Sequence, residues 1–371
     1  MARSSKRGAR RRCGLPTPGC EPQAAELRPV TRPTGVLLLN LGTPASPAVG
    51  DVRRYLAEFL SDPRVIDLPN PARWLLLHLW ILRSRPHRTA AQYASVWMAE
   101  GSPLLVHSRA LCAALAKELG AGFEVQLAMR YGMPSILRAL EHLVLADVGK
   151  IVVFPLFPQA ASSSRGSALA RVFALAGASE NVPTLEVASE FFDDPGFTNA
   201  WKSVIEPRLA EFRPDHVLFS FHGLPERHVR KSDPTGQHCL ARADCCDALG
   251  PVNRMCYRAQ CAATTRALAK ALELAPSAHS MAFQSRLGWE AWIQPYTDHV
   301  LPELKSRGIR RLAVVCPSFV ADCLETVEEI GLRARTQWRA LGGEELLLVP
   351  SLNAEPVWVS ALAKMVRRYE D

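Results

Sequence analysis

The 371-residue sequence has no apolar run approaching the roughly 18 residues that a membrane-spanning helix requires. Its longest candidate, Trp74-Leu-Leu-Leu-His-Leu-Trp-Ile-Leu82, is bounded by Arg73 and Arg83, long enough to rest at an interface or line an apolar cleft but too short to cross. A secretory signal is also missing: residues 1–12 hold six Arg and Lys, no acid and no apolar core, so residues 1–33 read as a disordered basic leader. Without such a signal, ten cysteines in a chain this long argue against the disulfide framework of a secreted protein. A reducing cytoplasmic setting is expected, with any membrane association left to the Trp74–Leu82 stretch. No glycine-rich phosphate loop is present, because Gly120-Ala-Gly122 enters a strand instead of opening a helix. The net charge of +8 is no sign of a nucleic-acid partner, since most of the excess lies in the leader.

What is present is a globular composition, 48% hydrophobic and 22% charged, in a chain long enough for two cores. Gly35-Val-Leu-Leu-Leu-Asn40 is a continuous apolar run, as expected of a strand buried on both faces. From Phe123 onward, short apolar runs alternate with segments of helical period. Nine or so strands alternating with helices imply parallel sheets with right-handed crossovers. Two Rossmann-like, doubly wound halves, 34–180 and 181–350, suit this length better than a closed eight-fold barrel. An apolar lip (73–85) belongs to the first half, a cysteine-rich insert (236–261) to the second, and a last helix within 351–371 is expected to pack back on the first.

Candidate chemistry gathers where strands end. Val217-Leu-Phe-Ser-Phe-His-Gly-Leu-Pro225 is an apolar strand broken by Gly223 and Pro225, which places His222 at a carboxyl end, where open α/β sheets form their ligand crevice. The helix expected from Val320 to Leu341 would set Asp322, Glu325 and Glu329 at i, i+3 and i+7, three carboxylates on one face. A solvated acidic stripe has the same pattern. Its start directly after the strand Arg311–Cys316 brings it instead to the sheet edge that holds His222. An imidazole and carboxylates in one crevice suit a divalent metal or a proton relay. Between them, Trp289, Trp292 and Tyr296 lie in a Gly/Pro-broken loop and offer aromatic faces to something large and flat.

Four separated segments carry a resemblance. Leu39-Asn-Leu-Gly-Thr-Pro44, Ser220-Phe-His-Gly-Leu-Pro225, Phe283-Gln-Ser-Arg286 with Trp292 to Asp298, and Ala321-Asp-Cys-Leu-Glu-Thr326 together resemble a ferrochelatase, in order and spacing, over about residues 34 to 368. The resemblance implies a chelatase-like pair of halves with the active site in the cleft between them, inserting Fe(II) as substrate metal into a porphyrin at the terminal stage of haem synthesis. It implies that His222 and Glu325 are the catalytic pair, as metal ligands or acceptors of pyrrole protons, with Asp322 and Glu329 extending a metal path outward. Leu41, Trp292 and Phe319 would face the macrocycle, Arg130 and Tyr131 would border the pocket, and Arg85 and Ser102 would meet propionates. Whether the porphyrin is protoporphyrin IX or coproporphyrin III, and the oligomeric state, stay open. A chelatase for another metal or tetrapyrrole, or a non-catalytic haem-binding module, are the alternatives. Ala160 and Cys323 stand where many or some relatives have tyrosine and histidine.

Five cysteines crowd between Cys239 and Cys261 in a loop of little hydrophobic periodicity that needs a staple. The spacing matches common zinc patterns poorly; zinc and metal-free thiols remain alternatives to a cluster. The chain resembles the bacterial type of ferrochelatase with an internal cysteine-rich insert, which implies a [2Fe–2S] cluster; Cys239, Cys245, Cys246 and Cys256 are the favoured ligands, with the choice of four among the five cysteines open. Cys261 would then be a plain helical residue.

Overall fold

A computed structural model describes residues 32–370 apart from Leu287 and Trp289. The expectations for the leader and for the Trp289 ring lie outside the described residues. Arg32 onward forms one compact unit.

Eight strands lie in two four-stranded sheets among the described residues. In the first, β1 (Thr34–Thr43) pairs with β2 (Phe123–Gly132) on one side and β3 (Lys150–Pro155) on the other, with β4 (Leu185–Val187) outside β3. The second repeats the plan, with β5 (His216–His222) between β6 (His279–Gln284) and β7 (Arg311–Val315), and β8 (Glu345–Leu348) beyond β7. All pairings are parallel. The chain leaves each central strand to one side and returns on the other, so each sheet has a switch point beside β1 or β5, where such folds place ligands. Because β4 pairs with β3, the first sheet extends to Val187, past the expected boundary at 180.

The run in β1 explains its position. Leu37 and Leu39 enter one apolar cluster and Val36 and Leu38 another, and all four are completely buried. An alternating strand leaves one face wet, whereas a continuous one needs cover on both. Each buried branched side chain contributes roughly 1.5–3 kcal/mol. β5 divides in the same way, with Leu218 on one side and Val217, Phe219 and Phe221 on the other. The cluster holding Val36 and Leu38 also holds Phe219 and Phe221, so the sheets share one central core. The helix Pro356–Arg367 seals it: buried Trp358 lies against Phe191 and Phe197, and Arg367 Nη2 donates to the Leu119 carbonyl. At the end of β1, Gly42 has φ +123°, and a Cβ there would lie 1.9 Å from the Tyr131 carbonyl oxygen. Only glycine lets β1 and β2 close at this point.

The lip runs on without a break: helix Asn70–Leu75 passes into a π-helix, Leu76–Ile81, and then into helix Leu82–Val96. Leu77 is buried beneath it, while Trp74 and Trp80 are 57% and 73% exposed. In the second half no helix starts at Val320. Helical structure begins at Leu324 and runs as a π-helix from Glu325 to Ala334, then as α-helix Arg335–Ala340.

Candidate active site

A cavity of about 850 Å³ opens where β1 and β5 end. Leu41 enters it from β1, His222 from β5, Trp292 and Phe319 from the loops after β6 and β7, and Glu325 and Glu329 from the π-helix. Arg85 and Ser102 line it from the first half. Eight of the residues expected at the site thus share one cleft.

His222 is the last residue of β5 and pairs in register with Gln284 of β6. Its Nδ1 lies 2.6 Å from the Gly223 carbonyl oxygen. That nitrogen must carry the proton to donate, which leaves Nε2 as the lone-pair nitrogen. The ring sits between Trp292 and Phe319, with centroids 6.4 and 6.3 Å away. Position 223 is restricted to glycine by packing, since a Cβ would lie 2.9 Å from the Gln284 carbonyl oxygen and 3.2 Å from the Trp292 ring.

The carboxylates differ in setting. Glu325 opens the π-helix, and its backbone carbonyl accepts from Gln284 Nε2 at 2.7 Å. Glu329 accepts from the backbone N–H of Ser285 at 3.0 Å and from the Ser285 hydroxyl. Burial raises its pKa above the usual carboxylate range, and the Glu325 charge adds to this, outweighing the Ser285 bond, Arg333 and His222. Five further residues of the cleft are given no role by the sequence alone. Glu328 accepts from Gln92 at 3.2 Å, and Tyr55 and Tyr93 are buried phenols whose pKa values are raised first by burial and further by the Glu325 charge. Ser285, within the Phe283–Arg286 segment, is the fifth. The apolar-polar pattern of helix Leu82–Val96 shows Gln92 and Tyr93 only once its long-range partner is known.

Arg85 carries a buried Nη1 with no hydrogen-bond partner. Burial lowers its pKa, and Tyr55 and Glu325 oppose that shift. A desolvated guanidinium N–H left unpaired is costly, so its place in the cleft favours an anionic group there. Ser102 caps helix Pro103–Leu119, accepting from the Leu105 N–H at 3.3 Å.

Three expected residues lie elsewhere. Asp322 precedes the helix and is wrapped by the second half itself: Thr326 Oγ1 and Asn353 Nδ2 donate to it, both at 2.9 Å, and the Ser351 N–H at 3.2 Å. With its oxygens turned to these donors, it does not join the face of Glu325 and Glu329. Arg130 and Tyr131 turn away from the cleft toward Asp62, to which Arg130 Nη2 donates at 2.7 Å and the Tyr131 hydroxyl at 3.0 Å. Burial alone would raise the Asp62 pKa, but bonds from Ser167, the Arg64 N–H and Tyr131, with the Arg130 charge, hold it low. Arg130 instead lines a separate cavity of about 410 Å³ with Asp62 and Ser167.

In the insert, Asp233 gathers the chain by accepting from the N–H groups of Thr235, His238 and Cys239, and Asn253 Nδ2 donates to the carbonyls of Cys245 and Ala248. All five thiols are buried and none is in a disulfide. Cys245 and Cys246 Sγ are 3.7 Å apart, and Arg258 Nη1 lies 3.2 Å from Cys246 Sγ. The Cys246 pKa is pushed up first by its hydrogen bond with Cys256 and then by burial; Cys239 also bonds Cys256. Among the described residues, no group of three or more His, Cys, Asp or Glu side chains is arranged to hold a metal ion, here or in the cleft.

Parallel α/β halves, strand ends converging on an imidazole and two carboxylates, and aromatic walls define a protein of the chelatase type. The sirohydrochlorin chelatase SirB from Bacillus subtilis subspecies spizizenii, solved with cobalt, shares the fold at TM-score 0.50 and 11% identity, over 91% of this chain and 94% of that one. In sequence, the ferrochelatase of Coxiella burnetii is 51% identical over 90% of this chain and 93% of its own length. That of Azotobacter vinelandii is 49% identical over 90% and 98%. The ferrochelatase family profile matches residues 33–370. The chain belongs to the ferrochelatase family.

Proposed function

We propose that this chain inserts Fe(II) into a porphyrin in haem synthesis, with His222 as acceptor of a pyrrole proton and Glu325 and Glu329 as the carboxylates that receive metal or protons beside it. The observation that carries this reading is the His222 ring, with Nδ1 committed to the Gly223 carbonyl, set between Trp292 and Phe319 in a cleft shared with both glutamates. Insertion exchanges two N–H protons for one divalent ion, so two protons must leave a planar macrocycle that is a poor acid. An imidazole nitrogen with a free lone pair can accept one of them. A carboxylate with a raised pKa holds the next more readily than a solvated one. Trp292 and Phe319 supply flat contact, and Arg85 an N–H for a peripheral carboxylate. Anaerobic incubation with Fe(II) and either protoporphyrin IX or coproporphyrin III, followed by absorption, tests the activity and names the porphyrin. Absence of a metalloporphyrin with both would overturn it.

Cys239, Cys245, Cys246 and Cys256 are the proposed holders of a [2Fe–2S] cluster. Support comes from the chemistry of the donor set, four buried thiols of which Cys256 meets two and Cys245 meets Cys246, with the Arg258 cation beside Cys246. Such a group supplies one-electron redox chemistry when bound. Iron and acid-labile sulfide in anaerobically purified protein test it. The lip is proposed as a peripheral membrane contact in a cytoplasmic setting, on the exposure of Trp74, Leu75, Leu79 and Trp80. No helix among the described residues is long and apolar enough to cross a membrane.

A further inference from the structure

The aim of the His222 ring depends on the backbone that follows it. Nδ1 donates to the Gly223 carbonyl, which is joined through the Gly223 Cα to the 222–223 peptide, so tilting that peptide displaces the acceptor that orients the imidazole. That peptide is held at two atoms. The Gly223 N–H donates to the Gln284 carbonyl at 2.7 Å, a bond that continues the β5–β6 ladder. The His222 carbonyl accepts from the Tyr257 hydroxyl at 2.8 Å, and this contact comes from outside the sheet. Tyr257 is the first residue of helix Tyr257–Ala271 and directly follows Cys256. Its hydroxyl oxygen is also 3.1 Å from Ser318 Oγ, in the loop that delivers Phe319. One phenol therefore touches the two segments that carry the imidazole and one of its flanking rings. Burial drives the phenol pKa well up, so it remains a hydroxyl donor.

We propose that Tyr257 is a positioning residue for metal insertion: its hydroxyl fixes the His222 carbonyl, so that Nδ1 stays bound to Gly223 and Nε2 is held for the substrate. This rests on the reading of His222 as proton acceptor. The same contact links Cys256, the residue before Tyr257, to His222 through one side chain and one hydrogen bond.

Tyr257→Phe keeps the buried ring and removes the hydroxyl. The full chain with this substitution is expected to hold its melting temperature within about 3 °C, to keep the KM for porphyrin within about twofold, and to lose about tenfold in kcat. Added to His222→Ala, it should change the residual rate less than about twofold, since residues acting as one unit are not additive. A readout free of turnover is the ¹⁵N-histidine spectrum, with His222 assigned by its loss in His222→Ala. Wild type should show His222 protonated at Nδ1 and unprotonated at Nε2, and Tyr257→Phe should shift it toward a tautomer mixture. A kcat kept within twofold in Tyr257→Phe, a further loss in the His222→Ala background, or an Nε2–H tautomer in wild type would each overturn the proposal. An Nε2–H tautomer in wild type overturns it even where the variant does not fold. Near-normal insertion by folded His222→Ala defeats the reading of His222 and the proposal with it; an inactive His222→Ala beside a fully active Tyr257→Phe defeats the proposal alone.

Discussion

Gln284 stands opposite His222 in the β5–β6 register and donates its side-chain Nε2 to the backbone carbonyl of Glu325 at 2.7 Å. One residue thus ties the strand that carries the imidazole to the first turn of the π-helix. Its Oε1 accepts in turn from the buried Ser220 hydroxyl at 2.7 Å. Replacing Gln284 with Leu leaves the Glu325 carbonyl without its donor and the Ser220 hydroxyl with only Thr297 Oγ1, at 2.9 Å, and a buried polar group left unpaired costs roughly 1–3 kcal/mol. The variant is expected to lose stability in urea denaturation and about tenfold in kcat.

Glu329 gives a signed pH dependence. Its pKa is raised on folding, so its contribution to stability is full below the unfolded value and is lost as pH rises through the folded value. Glu329→Gln removes the buried charge. The variant should therefore melt higher than wild type at pH 8 and no higher at pH 4, while insertion at pH 8 falls about tenfold. Thermal melts at the two pH values, beside rate profiles, check both halves of the statement.

His216 behaves in the opposite sense. At the start of β5 it is buried with Nε2 2.8 Å from the Ser280 hydroxyl, and burial, then Arg307 and His279, lower its pKa to about 4. Between pH 6.5 and 4 the unfolded chain takes up a proton that the folded one refuses. Stability should fall by on the order of 2 kcal/mol across that window through this residue. His216→Gln should flatten that part of the urea-midpoint profile against pH.

Asp233 organises the insert before any metal is considered. Its carboxylate collects three backbone N–H groups and the Thr235 hydroxyl, which hold its pKa far below the usual range. Asp233→Ala should raise the alkylation rate of the buried thiols at least about tenfold and lower iron bound per chain. Mass-resolved alkylation and iron analysis measure the two effects separately.

The lip prediction concerns two side chains. Trp74→Ala with Trp80→Ala removes the most exposed aromatic side chains among the described residues without touching buried Leu77. Co-sedimentation with phosphatidylcholine–phosphatidylglycerol vesicles should fall severalfold in the double variant. Binding by wild type no greater than by the variant would remove the lip from any membrane role.

The parts legible in the sequence were those written locally. A continuous apolar run dictated β1, and the break after Phe221 put His222 at a strand end. Glu325 and Glu329, four residues apart, share the cleft although the helix between them is wider than the α-helix expected. Asp322 turns from the Glu325 face because its partners, Ser351 and Asn353, lie about thirty residues onward and compete for its oxygens. Arg130 and Tyr131 turn from the cleft for a like reason, drawn to Asp62 across 68 and 69 positions of chain. Local periodicity places a side chain on a face; a distant donor or acceptor decides which way its polar end turns.

The helix Pro356–Arg367 has a bearing on how the chain is made. It packs on Pro103–Leu119 of the first half and on Pro195–Phe212, and Trp358 completes the aromatic group of Phe191 and Phe197. Each of these surfaces is synthesised long before the helix that covers it. The first sheet can assemble as it emerges from the ribosome, but its inner helical layer stays open to water, and to chaperones, until the final turns arrive. A premature stop before Pro356 would therefore yield a chain with its central core uncovered and marked for aggregation or proteolysis, even though every cleft residue had been translated.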